Sequence, residues 1–112
     1  MIDENYGGLA LEEEGERCAQ LFSDPSKKVM IMGNHGVIII GETVAETFDR
    51  LYYFERAAET YIRALQTGQK LRVLSDEIAE KTARELEDYT EPGKAHLAEI
   101  KAILSEEGAN FD

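Results

Sequence analysis

A single cysteine, Cys18, is all the sulfur chemistry the chain offers, so no disulfide can close within it and no Cys-x-x-Cys pair is present to hold a metal. Cys18 is expected to act as a small core hydrophobe. Basic residues are also scarce, with 12 Lys and Arg against 23 Asp and Glu and a formal charge of -11. The mean field therefore repels phosphate backbones and anionic headgroups, which argues against nucleic acid and membrane surfaces as partners. No apolar run approaches the roughly 20 residues that cross a bilayer, and residues 1–10 lack the basic start and apolar centre of a signal peptide. A cytoplasmic protein is the expectation. Repeats, low-complexity tracts and linkers are absent too, and 112 residues with 43% hydrophobic content support one modest core rather than two domains.

What is present reads as alternating helix and strand. Leu11 to Phe22 places Cys18, Leu21 and Phe22 along one side of a short amphipathic helix, with Gly7-Gly8 as a loop before it. The glutamates Glu12, Glu13 and Glu14 suit its start, where the helix dipole favours negative charge. Ser23-Asp24-Pro25-Ser26 has the composition of a turn. Val29-Met30-Ile31-Met32 and Val37-Ile38-Ile39-Ile40 are too short for helices and rich in β-branched residues, so both are predicted strands. Neither alternates polar with apolar, which predicts a sheet covered on both faces and a layered α/β architecture, its short strands flanked by helices.

Thr43-Val44-Ala45-Glu46 forms a capping box that opens a long helix, and Gly68 ends it. Val44, Phe48, Leu51, Ala58, Ile62 and Leu65 recur at three- and four-residue steps along one stripe, with Tyr52 beside it and Glu55 on it. A carboxylate on a buried stripe costs several kcal/mol unless it is paired, so Glu55 is expected to be buried with a partner: strand or loop backbone, an arginine such as Arg56 or Arg63, or a histidine ring that it orients. Tyr52, Tyr53 and Tyr61 on this helix are expected to pack rather than to hold a cofactor. Ser75 caps a further helix to about Tyr89, and Thr90-Glu91-Pro92 opens a last one with apolar Leu97, Ile100, Ile103 and Leu104, stopped by Gly108 before a polar tail expected to fray.

Between the two predicted strands lies Gly33-Asn34-His35-Gly36, residues that tolerate positive φ and a tight reversal. A histidine held there by rigid neighbours suits a metal ligand or a general base, and equally a turn histidine that bonds only backbone. His96, the other histidine, lies on a separate predicted helix and completes no ligand spacing with His35.

The run Val29 to Gly41, with its Gly33-Asn34-His35-Gly36 core, then Thr43-Val44-Ala45-Glu46-Thr47-Phe48 and Tyr53-Phe54-Glu55-Arg56-Ala57, resembles the class II aldolase/adducin family. Tyr6-Gly7-Gly8-Leu9-Ala10 and Gly15-Glu16-Arg17 are similar to the stretch that precedes this strand in adducin-like members. The resemblance implies a layered αβα domain of which residues 1–112 form the C-terminal half, a single partial domain. It implies Zn²⁺ held by three histidines, two from an upstream His-x-His and one from Asn-His-Gly, which His35 matches. In that family the metal polarises the carbonyl of a small hydroxylated substrate while a carbon–carbon bond breaks, and an upstream glutamate transfers protons. Neither that glutamate, the His-x-His pair nor the family's phosphate-binding loop has a counterpart here, so no catalytic residue is assigned within the chain and zinc binding by it alone is expected to be weak or absent. Homo-oligomeric self-association is expected, because half of a sheet-containing domain exposes strand edges and apolar surface. The readings that follow are a truncated zinc-dependent aldolase inactive alone, a non-catalytic adducin-like assembly module, and a small acidic interaction module or decayed remnant without chemistry.

Overall fold

The computed structural model describes residues 1–4, 6, 11–89 and 91–110. The expected Gly7-Gly8 loop, Thr90 at the opening of the last helix and the end of the polar tail lie outside the described residues. Two compact units are formed, Met1–Glu42 and Thr43–Asp112.

The first unit is a three-stranded sheet with one helix in its sequence. Strands β1 (Ile2–Asp3), β2 (Val29–Met32) and β3 (Gly36–Ile39) lie in that order, and helix α1 spans Leu11–Leu21. β2 and β3 form the antiparallel hairpin predicted by the two β-branched runs, with Val29 opposite Ile39 and Met32 opposite Gly36. β1 was not visible in the sequence pattern. Two residues carry too little periodicity to read, yet Ile2 pairs in parallel with Ile31 and Asp3 with Met32. Met30 is the fully buried side chain of this sheet, worth roughly 1.5–3 kcal/mol by area. On the opposite face Ile31 is 38% exposed while Val29, Val37 and Ile39 are half-buried, so that face is partly covered among the described residues.

Asp3 is buried and pairs with Arg17 of α1 at 2.6 Å, which ties the helix to the end of β1. Arg17 also reaches Glu14 one turn earlier, and its bonds to Asp3 and then to Glu14 raise the guanidinium further above its ordinary value. Cys18, Leu21 and Phe22 are half-buried, as the amphipathic reading required. In the turn that follows, the Ser26 hydroxyl and its backbone N–H, at 2.9 Å from Oδ1, hold the Asp24 carboxyl below its ordinary value. The depressed value means that this bond favours the fold at neutral pH and stops doing so as pH falls through the folded-state pKa.

The second unit holds α2 (Val44–Gln66), α3 (Asp76–Glu87) and α4 (Glu91–Glu106). Thr43 caps α2, its hydroxyl accepting from the Glu46 N–H at 3.1 Å, a bond worth about 1 kcal/mol. The Glu46 carboxylate accepts from Arg50 at 2.7 Å. Gly68, at φ +66°, turns the chain out of the helix where a β-carbon would be strained. Ser75 caps α3, accepting from the Ile78 N–H at 3.4 Å. α4 packs across the start of α2 with Gly93 at the contact. A β-carbon there would stand 3.4 Å from both the Ala45 carbonyl oxygen and the Asp49 Cβ, at the close edge of van der Waals contact. Leu97 and Ile100 are half-buried on this contact, while Ile103 and Leu104, farther along, are exposed.

Candidate functional site

His35 sits at the tip of the β2–β3 hairpin, and the backbone there is set by its neighbours. Asn34 takes φ +59° and Gly36 φ +144°, both in the region that favours glycine and asparagine. The His35 N–H donates to the Met32 carbonyl at 3.2 Å, closing the turn. The loop is then pinned from the side: the Gly33 N–H donates to the Asp3 carbonyl at 2.8 Å, and a β-carbon on Gly33 would stand 3.2 Å from that oxygen. So β1, held through Asp3 by Arg17, fixes the base of the loop that carries the histidine. The imidazole itself is exposed and leans on Tyr6, ring centroids 4.7 Å apart at 49°. Nothing in local spacing announced the Tyr6 contact, because the two residues meet only when β1 joins the hairpin.

This geometry presents an exposed imidazole on a hydrogen-bonded turn, which suits a ligand or a general base. One donor does not make a zinc site, for which three or four protein donors are normal. Among the described residues no group of three His, Cys, Asp or Glu is placed to hold a metal ion, so these residues do not by themselves fit zinc.

His96 is engaged elsewhere. Its Nδ1 lies 2.7 Å from Asp49 Oδ1, and its ring packs at 4.6 Å and 80° on Tyr52 and at 5.2 Å on Phe48. The pair fastens α4 to α2 at the level set by Gly93. Sequence reading missed it, since Asp49 and His96 are 47 residues apart and only the helix crossing brings them together.

Glu55 requires a correction. It shares a groove with Ala58, Ile62 and Gln66, so the helical phase was read properly, but α2 buries no residue and Glu55 is exposed. No hydrogen bond or ion pair of Glu55 occurs among the described residues; α4 meets the stripe at Phe48, through His96, and Glu55 lies two turns farther along the helix. Replacing Glu55 with Ala should change stability by less than about 0.5 kcal/mol, no more than replacing the exposed Glu59, as read by chemical denaturation. A cost of several kcal/mol for Glu55 alone would mean that the stripe is covered in solution. The tyrosines also pack less than expected, with Tyr53 and Tyr61 60% and 56% exposed.

A sequence model of the class II aldolase and adducin N-terminal domain matches residues 2–62, more than half of the chain and the whole of the hairpin with its His35 tip. The chain belongs to the class II aldolase and adducin family. Its α/β architecture of helices and a small sheet is consistent with an aldolase-like domain. It is 35% identical over 80 residues to the protein hu-li tai shao of Drosophila melanogaster, covering 71% of this chain and 7% of that one. It is 40% identical over 62 residues to human gamma-adducin, covering 54% and 9%. It is 33% identical over 81 residues to a Caulobacter vibrioides protein named "Putative aldolase class 2 protein", covering 71% and 31%. The chain thus spans under a third of the length of these relatives. No solved structure matches it. Among the described residues no helix is long and apolar enough to cross a membrane.

Proposed function

We propose that residues 1–112 form the C-terminal half of a cytoplasmic, homo-oligomeric class II aldolase-type domain. In this reading His35 is one donor to a Zn²⁺ site whose other donors come from polypeptide outside these residues. The observation that carries it is the His35 tip: an exposed imidazole on a loop pinned by Gly33 and Asp3, inside the stretch matched by the family. The complete domain would act as a carbon–carbon lyase on a small hydroxylated carbonyl compound. This chain alone would not, because it contributes one donor and no carboxylate positioned beside it.

Calorimetric titration of the isolated chain with Zn²⁺ tests the donor count. No one-to-one binding is expected at micromolar concentration, and His35→Ala should leave the weak response of an ordinary surface histidine little changed. Tight stoichiometric binding by the isolated chain would contradict the reading, since it would require a donor set within these residues.

The second reading is a non-catalytic adducin-like assembly module, supported by the 40% identity to human gamma-adducin over 62 residues. The two readings part at the metal: an assembly module has no need of zinc at His35.

A further inference from the structure

We infer that the channel between α2 and the irregular segment 69–75 is a binding site for a small organic anion with a flat apolar body. The channel is open to solvent, with Tyr53, Tyr61 and Val73 more than half exposed; it has a volume of about 540 Å³ and is lined mainly by apolar surface. Its floor is one face of α2, where Ala57 and Ala64 leave space at the small positions, with Tyr53 and Tyr61 two turns apart along it. Two arginines border it, Arg56 on the helix and Arg72 on the segment that forms the other wall.

The charges decide what it would hold. Arg17, Arg50, Arg63 and Arg84 each have a carboxylate partner: Asp3, Glu46, Glu59 and Glu80 respectively. The other two arginines of the sequence, Arg56 and Arg72, make no ion pair among the described residues, although the chain has 23 acidic side chains to offer. Arg56 lies instead 5.5 Å from the Tyr52 ring centroid. In a chain of charge -11, the two arginines left without a carboxylate line the same apolar channel. Guanidinium groups bind carboxylate and phosphate oxygens in pairs of parallel hydrogen bonds, and tyrosine rings beside alanines suit a flat apolar body. The anion is thus held by Arg56 and Arg72 and its body by the α2 face. The site belongs to the unit Thr43–Asp112 and uses none of the residues around His35.

Amide resonances of the full ¹⁵N-labelled chain, followed during titration with benzoate, phenyl phosphate, benzyl alcohol and inorganic phosphate, test this. Benzoate or phenyl phosphate should shift Ala57, Thr60, Ala64 and Val73 saturably, and whichever binds tighter identifies the anionic group. Benzyl alcohol and inorganic phosphate should each bind at least about tenfold more weakly, since each lacks one half of the match. Arg56→Gln and Arg72→Gln should each weaken binding about tenfold, whereas Arg63→Gln, on another face of α2 beside Glu59, should not. Arg72 lies outside any helix, so its variant keeps the test open if Arg56→Gln loses helicity by circular dichroism. Should association of the chain broaden the spectra, equilibrium dialysis of radiolabelled benzoate gives the same reading as one bound per chain, lost in both variants. Equal binding of benzyl alcohol, equal binding of inorganic phosphate, unchanged binding in both variants, or no binding would each overturn the proposal.

Discussion

At micromolar concentration the 112-residue chain should sediment as a dimer or larger species. The expectation rests on what the fold leaves uncovered. Met30 is the buried hydrophobe among the described residues, whereas Val44 and Leu86 are 77% and 67% exposed. On α2 the stripe continues beyond Phe48 through Leu51, Ile62 and Leu65, which are 40%, 55% and 52% exposed, and α3 presents Ile78 and Leu86 at 51% and 67%. Contiguous apolar faces of this kind are rare on monomers and mark surfaces that another chain covers. The sheet adds to this, because in the order β1-β2-β3 both outer strands are edges and β3 is the β-branched run Val37-Ile38-Ile39. Sedimentation equilibrium over a hundredfold range of concentration is the measurement. Introducing charge on the stripe, as in Ile62→Glu with Leu65→Glu, should shift the distribution toward monomer. A monomer that melts in one cooperative transition would contradict the account, since it would mean that the chain covers these faces unaided.

Much of the fold could be read from residue types alone, because the signals were local. The runs Val29–Met32 and Val37–Ile40 gave the hairpin to within a residue, since short β-branched segments around an Asn- and Gly-bearing turn allow little else. Thr43 and Ser75 as caps, and Gly68 as a stop at positive φ, fixed α2 and the start of α3 for equally local reasons. Features that depend on distant residues were not legible. The two residues of β1 carry no period, and Gly93 looks like a helix-weakening residue until the approach of α4 to α2 sets it against Ala45 and Asp49.

The site divides along the same line. The place of His35 in a turn between two strands was legible because glycine, asparagine and strand ends surround it in sequence, and the structure has that turn. The means by which the tip is held, through Gly33 to Asp3 and Asp3 to Arg17, could not be read, since it needs β1 in place. Glu55 failed for a different reason. Its helical face was read properly, but an apolar stripe predicts burial only if something packs on it, and sequence periodicity says nothing of the partner.

Whether His35 is a zinc ligand turns on the donors around it, and those can be supplied. Substituting this chain for the stretch it matches in the Caulobacter vibrioides relative would surround the His35 tip with the remainder of a related protein. Zinc content per subunit, measured by mass spectrometry after exhaustive dialysis, should be close to one for that chimera. It should fall to background on His35→Ala and stay unchanged on His96→Ala, whose imidazole is held by Asp49. Loss of one of three histidine donors is sufficient for this, because a structural or catalytic zinc needs at least three protein ligands. A folded chimera that binds one zinc as tightly with His35→Ala as without it, or that binds none at all, would contradict the assignment of His35 as the metal donor.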